Sequence, residues 1–418
     1  MAAGTLIIGA GQGGYQVAAS LREAGYAEPV TIVGDEPTLP YQRPPLSKAY
    51  LLGDTTADRL LLRPQSYYDK HAIALVTGDR AVTIDRPGRR VTLASGTTIP
   101  YDHLVLATGA QNRKLPVPGA DSDGVLYLRT LADADAIKER FHAAESIVVA
   151  GAGFIGLELA AVASKYGKQV TVVEALSRCM SRAVSPAVSQ FFAEAHTVWG
   201  NRLMLDARIA AVDSTDGRVS GVTTADGRTI PADLVLVGIG IVPETALAQA
   251  AGLTLDNGIA VDGHLVSSDP NVSAIGDCAS FPDASTGKRV RLESVQNAVD
   301  QGRCVAARLA GRPNAYAAIP WFWSDQRDLK LQMVGLTAAC ERTVLRGAVG
   351  ERAFSVFCFT GDRLIGIESV NRAADHMFGR RLLAAGQSIT PEEATDPSFD
   401  FKARLATLPR AAAPVMAG

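Results

Sequence analysis

Gly9, Gly11 and Gly14 stand in the spacing GxGxxG, and Gly151, Gly153 and Gly156 repeat that spacing further along the chain. Such glycines suit a pyrophosphate. The first permits a tight turn, the second lets backbone approach the phosphates, and the third brings a helix against a strand. Gly13 extends the first turn, and the N-terminus of the following helix offers amide donors and the positive end of a dipole. Each fingerprint is completed by an acid able to accept ribose hydroxyls: Asp35, beside Glu36 and about 21 residues after Gly14, and Glu174. Glu174 stands where a 2'-phosphate would sit, so its charge favours NAD over NADP, although Arg178 nearby could accept that phosphate. A lone fingerprint also reads as a plain glycine-rich turn. Two complete ones imply two dinucleotides and a hydride moved between them.

These residues need strands and helices to aim them. Thr5-Leu6-Ile7-Ile8 reads as a buried strand, followed by a helix over 15–24 and a second strand, Val30-Thr31-Ile32-Val33. Ser146-Ile147-Val148-Val149-Ala150, a helix over 157–166 and Gln169-Val170-Thr171-Val172-Val173 repeat the order. Strands alternating with helices imply doubly wound parallel sheets. Hairpins are expected at Arg90-Val91-Thr92-Leu93 with its Ser95-Gly96 turn, and at Val219-Ser220-Gly221-Val222 with Asp226-Gly227. From Pro320 the pattern becomes short alternating runs, read as antiparallel strands, and a helix near 373–384. Trp321 and Trp323 read as part of a loop-like segment. The last residues, 406–418 at most, read as a disordered tail.

In this order the chain carries the first GxGxxG, Pro44-Pro45-Leu46-Ser47-Lys48, Leu104-Val105-Leu106-Ala107-Thr108-Gly109 and the second GxGxxG with Leu157-Glu158. Gly276-Asp277, Glu293-Ser294-Val295-Gln296-Asn297-Ala298 and Pro320-Trp321-Phe322-Trp323-Ser324-Asp325 follow. Over nearly its whole length, from Gly9 to about Phe401, it resembles the FAD-dependent NADH:ferredoxin reductases, most closely the putidaredoxin reductase type that feeds bacterial haem-thiolate monooxygenases. The resemblance implies an α/β fold with two Rossmann-type domains, glutathione-reductase-like, plus a C-terminal α+β domain that covers the flavin. The FAD domain is expected at 1–112 and 240–316, the NADH domain at 113–239 and the C-terminal domain at 317–405. FAD would lie on Gly9, Gly11, Gly13 and Gly14, with Asp35 on the adenosine ribose and Asp277 on the ribityl chain. Thr108, Gly109, Val295, Arg129 and Ala81 match further FAD positions, and Gly151, Gly153, Ile155, Gly156, Glu174 and Gly240 would serve NADH. Lys48 would approach the flavin and Glu158 would pair with it. A cation there would stabilise the charge of reduced FAD. Their types alone suit a surface lysine and a helix-face glutamate, and Asp277 could instead be a buried helix cap.

Five cysteines occur, at 179, 278, 304, 340 and 358, with no CxxC pair and no metal-like spacing. Residues 1–178 hold none. Disulfide reductases pass electrons to a cysteine pair, and related peroxidases and oxidases use a cysteine in the N-terminal half, so neither chemistry is expected. Cys278 reads as a small packing residue. The electrons are then expected to leave singly, to a 2Fe-2S ferredoxin. Arg303, on a helix that also holds Arg308, would suit an acidic ferredoxin and steer its approach, and Trp323 could shield the flavin or dock the partner. Core tryptophans and solvated arginines have the same composition.

Apolar residues make up 47% of 418 residues and the net charge is -2, which excludes a general attraction for nucleic acid. No run approaches the roughly 18 apolar residues of a membrane span, and the start of the chain reads as a strand rather than a signal peptide, so a cytoplasmic protein is expected. The alternatives are a signalling flavoprotein of the apoptosis-inducing-factor type, expected to show a targeting segment and a long C-terminal insertion, and an NADH:quinone reductase with an amphipathic anchor. Neither set of features is visible. Oligomeric state, monomer or weak dimer, stays open.

Overall fold

The computed structural model describes residues 3–284 and 286–407. The chain divides into two compact units. Of the described residues, one comprises those within 3–45, 55–111 and 241–318, the other those within 46–54, 112–240 and 319–407.

The first unit is organised on a parallel sheet in the order Val272–Ala274, His103–Leu106, Thr5–Ile8, Val30–Gly34, Ile73–Thr77. The strand Thr5–Ile8 is buried throughout, as a central parallel strand covered on both faces must be. Helices Gln12–Glu23 and Val295–Leu309 pack closely, because Gly13 and Gly302 carry no side chain at their contact. A Cβ on Gly302 would lie 3.2 Å from the Gly13 carbonyl. The antiparallel strands Ala81–Asp85, Arg90–Leu93 and Thr98–Pro100 form a separate small sheet, with the expected turn at Ser95-Gly96.

The second unit repeats the plan: Arg202–Met204, Gln169–Val173, Ser146–Ala150, Leu234–Val237, Val125–Tyr127, all parallel. It also contains an antiparallel sheet in the order Trp321–Gln326, Leu329–Gly335, Arg363–Val370, Ala353–Thr360, Arg342–Ala348. Helix Ala373–Ala384 lies against this sheet over Phe357, Ile367, Phe378 and Leu382.

Two sequence expectations change here. Trp321 and Trp323 lie in a strand, paired with Val334 and Gln332, because the following Arg327-Asp328 turn folds the segment back as a hairpin. Arg308 does not join Arg303 on the surface. Its guanidinium turns inward, 2.6 Å from Ser273 Oγ and 3.3 Å from His103 Nε2.

The units also divide 1–112 differently from the sequence expectation. The segment Leu46–Asp54 counts with the second unit, held by Ser47 and Lys48 on Glu158, by Tyr50 Oη donating to Asp135 at 2.5 Å, and by Tyr166 Oη donating to the Leu51 carbonyl at 3.0 Å. Of the expected tail, Ala406 closes the helix Phe401–Ala406, and residues from 408 on lie outside those described.

Candidate functional site

In the first unit the fingerprint turn is built as its glycines demand. Gly9 has φ +116°, which side-chain-bearing residues rarely adopt, and a Cβ on Gly14 would collide with the Gly9 carbonyl. Gly11 is different, since a Cβ there would meet open space. Its opening is what a phosphate needs to reach the backbone. The helix begins at Gly11 with no side-chain cap, whereas Ser294 and Thr130 cap their own helices. First-turn amides left without a side-chain acceptor, beside open space and at the positive end of the helix, fit a pyrophosphate. Gly13 lies buried against Ile275 and Ala298, so what it shows is a packing role. Asp35 is exposed at the end of its strand, and the neighbouring Glu36 pairs with Arg43 at 2.5 Å and accepts from Tyr41 Oη at 2.6 Å.

Asp277 stands half-buried in the single turn Gly276–Cys278, directly after Val272–Ala274. That turn is fixed by Gln301, whose Oε1 accepts from the Gly276 amide at 2.7 Å. Thr108 Oγ1 donates to the Glu244 carbonyl at 2.7 Å, and Gly109 accepts from the Glu244 amide at 2.9 Å. Ala81 is buried, and Val295 opens the helix that Ser294 caps.

The second unit builds the matching cradle. Gly151 has φ +100°, a Cβ on Gly156 would collide with the Gly151 carbonyl, and the helix starts uncapped at Gly153, where a Cβ would be nearly unobstructed. Glu174 ties the turn to the strand end: Oε2 accepts from the Ala152 amide at 2.7 Å and Oε1 from the Leu176 amide at 2.9 Å. The Arg178 guanidinium donates to the Val184 and Ser181 carbonyls, both at 2.8 Å. It is thus held by backbone near the acid. Ile155 is 43% exposed on the first turn of the helix, and Gly240, with φ +104°, lies near Arg182. Arg129 precedes the Thr130 cap, its amide donating to Asp133.

The helix Phe154–Lys165 is apolar nearly all round and buried from Gly156 to Ala163, and within it lies Glu158, 2% exposed. A carboxylate there costs several kcal/mol unless it is fully partnered. Oε2 receives Lys48 Nζ at 2.7 Å and Ser47 Oγ at 2.5 Å, and Oε1 receives Ser324 Oγ at 2.6 Å. The structure therefore brings together Lys48 and Glu158, far apart in sequence, as an ion pair with the lysine one-fifth exposed. Ser47 and Ser324 were missed as partners, although both lie inside quoted motifs. A buried glutamate needs acceptor-satisfying hydroxyls, and that is the signal that finds them.

Of the docking candidates, Arg303 is exposed and pairs with Asp300 at 3.2 Å, and Trp323 is half-buried 5.4 Å from Trp321, whose face carries the Arg380 guanidinium at 4.5 Å. Cys278 is fully buried, with its Sγ 3.2 Å from the Ile275 carbonyl, and burial pushes its thiol pKa up. No cluster of metal-ligating side chains occurs, and no helix is long and apolar enough to cross a membrane, among the described residues.

Two such cradles in one chain define a class, and the family model for pyridine nucleotide-disulphide oxidoreductase matches residues 4–302, with a reductase C-terminal model over 321–405. Rhodocoxin reductase of Rhodococcus erythropolis is 53% identical over 401 residues, 96% of this chain and 94% of that protein. The crystal structure of the ferredoxin reductase for the CYP199A2 system from Rhodopseudomonas palustris is 52% identical, with a TM-score of 0.95 over 97% of this chain and 100% of that one. The covalent putidaredoxin reductase–putidaredoxin complex gives a TM-score of 0.94 at 38% identity over 97% and 99%. The chain belongs to the pyridine nucleotide-disulphide oxidoreductase family as a ferredoxin reductase of the putidaredoxin reductase type. It is an oxidoreductase that works with FAD and NAD(H).

Proposed function

We propose that this reductase takes a hydride from NADH and delivers its two electrons one at a time to a 2Fe-2S ferredoxin, which supplies a haem-thiolate monooxygenase in the cytoplasm. The observation that carries the reading is a pair of dinucleotide cradles with no thiol placed to intercept the electrons. Residues 1–178 hold no cysteine, and Cys278 is sealed. FAD, when bound, supplies the conversion of a two-electron donor into a one-electron donor.

The chain's own residues do the rest. Gly9, Gly11 and Gly14 with the uncapped helix Gln12–Glu23 serve the FAD pyrophosphate, with Asp35 and Asp277 on its sugar and ribityl hydroxyls. Gly151, Gly153 and Gly156 serve that of NADH, and Glu174 selects it over NADPH by charge. Lys48 supplies a positive charge that stabilises reduced flavin, and Glu158 holds the ammonium in place. The ferredoxin reductase for the CYP199A2 system and the putidaredoxin reductase–putidaredoxin complex among its relatives support a ferredoxin as the acceptor. Arg303 and Trp323 are offered to it as docking groups.

Anaerobic stopped-flow tests the whole reading. Mixing with NADH is expected to bleach the flavin rapidly, and added 2Fe-2S ferredoxin is expected to be reduced with two equivalents consumed per NADH. A bleached, long-lived charge-transfer complex that no ferredoxin reoxidises would overturn it in favour of a conformational, signalling role.

A further inference from the structure

A buried chain of hydrogen bonds leads away from Glu158 through residues to which nothing above assigns a function. Ser324 Oγ, which contacts Glu158 Oε1 at 2.6 Å, also receives Gln326 Nε2 at 3.3 Å. Gln326 Oε1 lies 2.8 Å from His196 Nε2, and His196 Nδ1 lies 2.8 Å from Asn201 Nδ2. From Glu158 to Asn201 no side chain is more than 3% exposed. Polar groups so buried are costly unless paired, and a chain of this length is an unusual way merely to fill a core.

The chain has one direction. A carbonyl oxygen only accepts, so His196 Nε2 carries the hydrogen that meets Gln326 Oε1. Burial holds the ring neutral, its pKa pushed down to about 4, so Nδ1 is bare and accepts from the Asn201 amide. Gln326 is thereby oriented with its NH2 group toward Ser324. A serine hydroxyl has a single hydrogen, and one that receives from Gln326 directs that hydrogen to Glu158. Every donor from Asn201 onward points toward the carboxylate. With Oε1 engaged in this way, Oε2 stays aimed at Lys48 Nζ. Trp199 lies edge-on to the His196 ring at 5.0 Å, and Arg327 covers the face of Trp199 at 5.0 Å, so the far end of the chain is clamped as well.

The geometry points to Ser324, Gln326 and His196 as positioning residues that act through Glu158 on Lys48 and fix the ammonium where the flavin chemistry needs its charge. The inference rests on the role proposed for Lys48, and it deepens that role by naming what sets the lysine's position. The competing account is that the chain only joins the strand Trp321–Gln326 to the helices Phe154–Lys165 and Pro186–Val198.

The test uses the FAD-loaded full chain and reads the flavin midpoint potential, the rate of flavin reduction by NADH, and the His196 ring by 15N NMR. The wild-type ring is expected as the neutral tautomer protonated on Nε2. Gln326→Met and His196→Phe keep volume and lose the donor. Each is expected to move the potential to more negative values and to slow reduction by up to about tenfold, the order of one lost neutral hydrogen bond in the chain that orients Ser324 on Glu158. His196→Gln, whose amide can donate to Gln326, is expected to restore both. Adding Gln326→Met to Lys48→Ala is expected to shift the potential no further, since both act on one charge. Ser324→Ala, which removes a single oxygen, carries the same test if Gln326→Met does not fold. If Lys48→Ala moves the potential while Gln326→Met, Ser324→Ala and His196→Phe all leave it at the wild-type value, the inference is wrong and the parent reading stands. A wild-type potential in Lys48→Ala itself removes both.

Discussion

Lys48 and Glu158 show how a charge can be kept within reach of solvent and firmly held without being lost to the core. The ammonium remains one-fifth exposed, while the carboxylate that holds it is 2% exposed and takes three donors. Removing the cation alone leaves the pyrophosphate cradle untouched, because Gly9, Gly11 and Gly14 lie elsewhere in the chain. Lys48→Ala is therefore expected to keep its FAD and to be reduced by NADH on the order of a hundredfold to a thousandfold more slowly, the range for losing one electrostatic donor. Stopped-flow rates at the wild-type value would remove the lysine from the mechanism. Glu174 is likewise a charge held in place by its partners. Its carboxylate already accepts from Ala152 and Leu176, and Arg178 is bound to backbone carbonyls, so a 2'-phosphate would meet a negative charge and a cation held by other partners. Glu174→Ala is expected to raise the NADPH to NADH ratio of kcat/KM about tenfold, one charge–charge interaction's worth, and an unchanged ratio counts against the ribose assignment.

At the scale of elements, the two strand–turn–helix units are separable. Gly156→Ala would press a methyl group on the Gly151 carbonyl and push the helix Phe154–Lys165 off its strand. The expected outcome is normal flavin absorbance per protein with a KM for NADH raised at least about tenfold, since the helix end proposed to take the phosphates moves. An unaltered KM would mean that the second cradle does not hold NADH. These units were legible in the sequence because their requirements are local: Gly9 and Gly151 must turn, Gly14 and Gly156 must let a helix approach, and the apolar runs before them have no polar interruption. The helix over Ala373–Ala384 was legible for the same reason. What local pattern does not carry is partnership over long separations. Trp321 and Trp323 read as loop because bulky aromatics following a proline gave no clean alternation, and only pairing with Leu329–Gly335 makes them a strand. Arg308 looked like a surface charge until Ser273 and His103 drew it inward. Leu46–Asp54 sits in sequence among first-unit residues, yet its bonds to Glu158, Asp135 and Tyr166 assign it to the second. Ser324 and Gln326 occupy alternate positions of one strand, a same-face polar pair whose meaning appears only once Glu158 and His196 are found beside it.

For the molecule as a whole, the buried imidazoles set how stability responds to acid. Burial pushes His196 and His376 down to about 4 and His103 to about 3, from an ordinary value of 6.5. Below pH 6.5 the unfolded chain binds protons that the folded rings refuse, so stability falls as pH falls through that window and returns as pH rises. Glu368 works in the opposite direction, its carboxyl raised by burial beside Ser185 and Thr337, but it is one group against three. The three tryptophans, Trp199, Trp321 and Trp323, all belong to the second unit, as do His196 and His376. Tryptophan fluorescence therefore reports the unfolding of that unit with two of the three rings. Between pH 6.5 and 5 each ring is expected to remove about 1.5 kcal/mol, so the two together remove about 3 kcal/mol, less whatever Glu368 in the same unit gives back. The urea midpoint read by tryptophan should drop correspondingly, and His196→Gln, which removes one titrating ring while keeping a donor for Gln326, should roughly halve the slope. A midpoint that stays level from pH 7 to pH 5 would mean that the folded rings take up protons as readily as the unfolded ones; His196 Nε2 would still donate to Gln326, and only its Nδ1 contact with Asn201 would have to reverse.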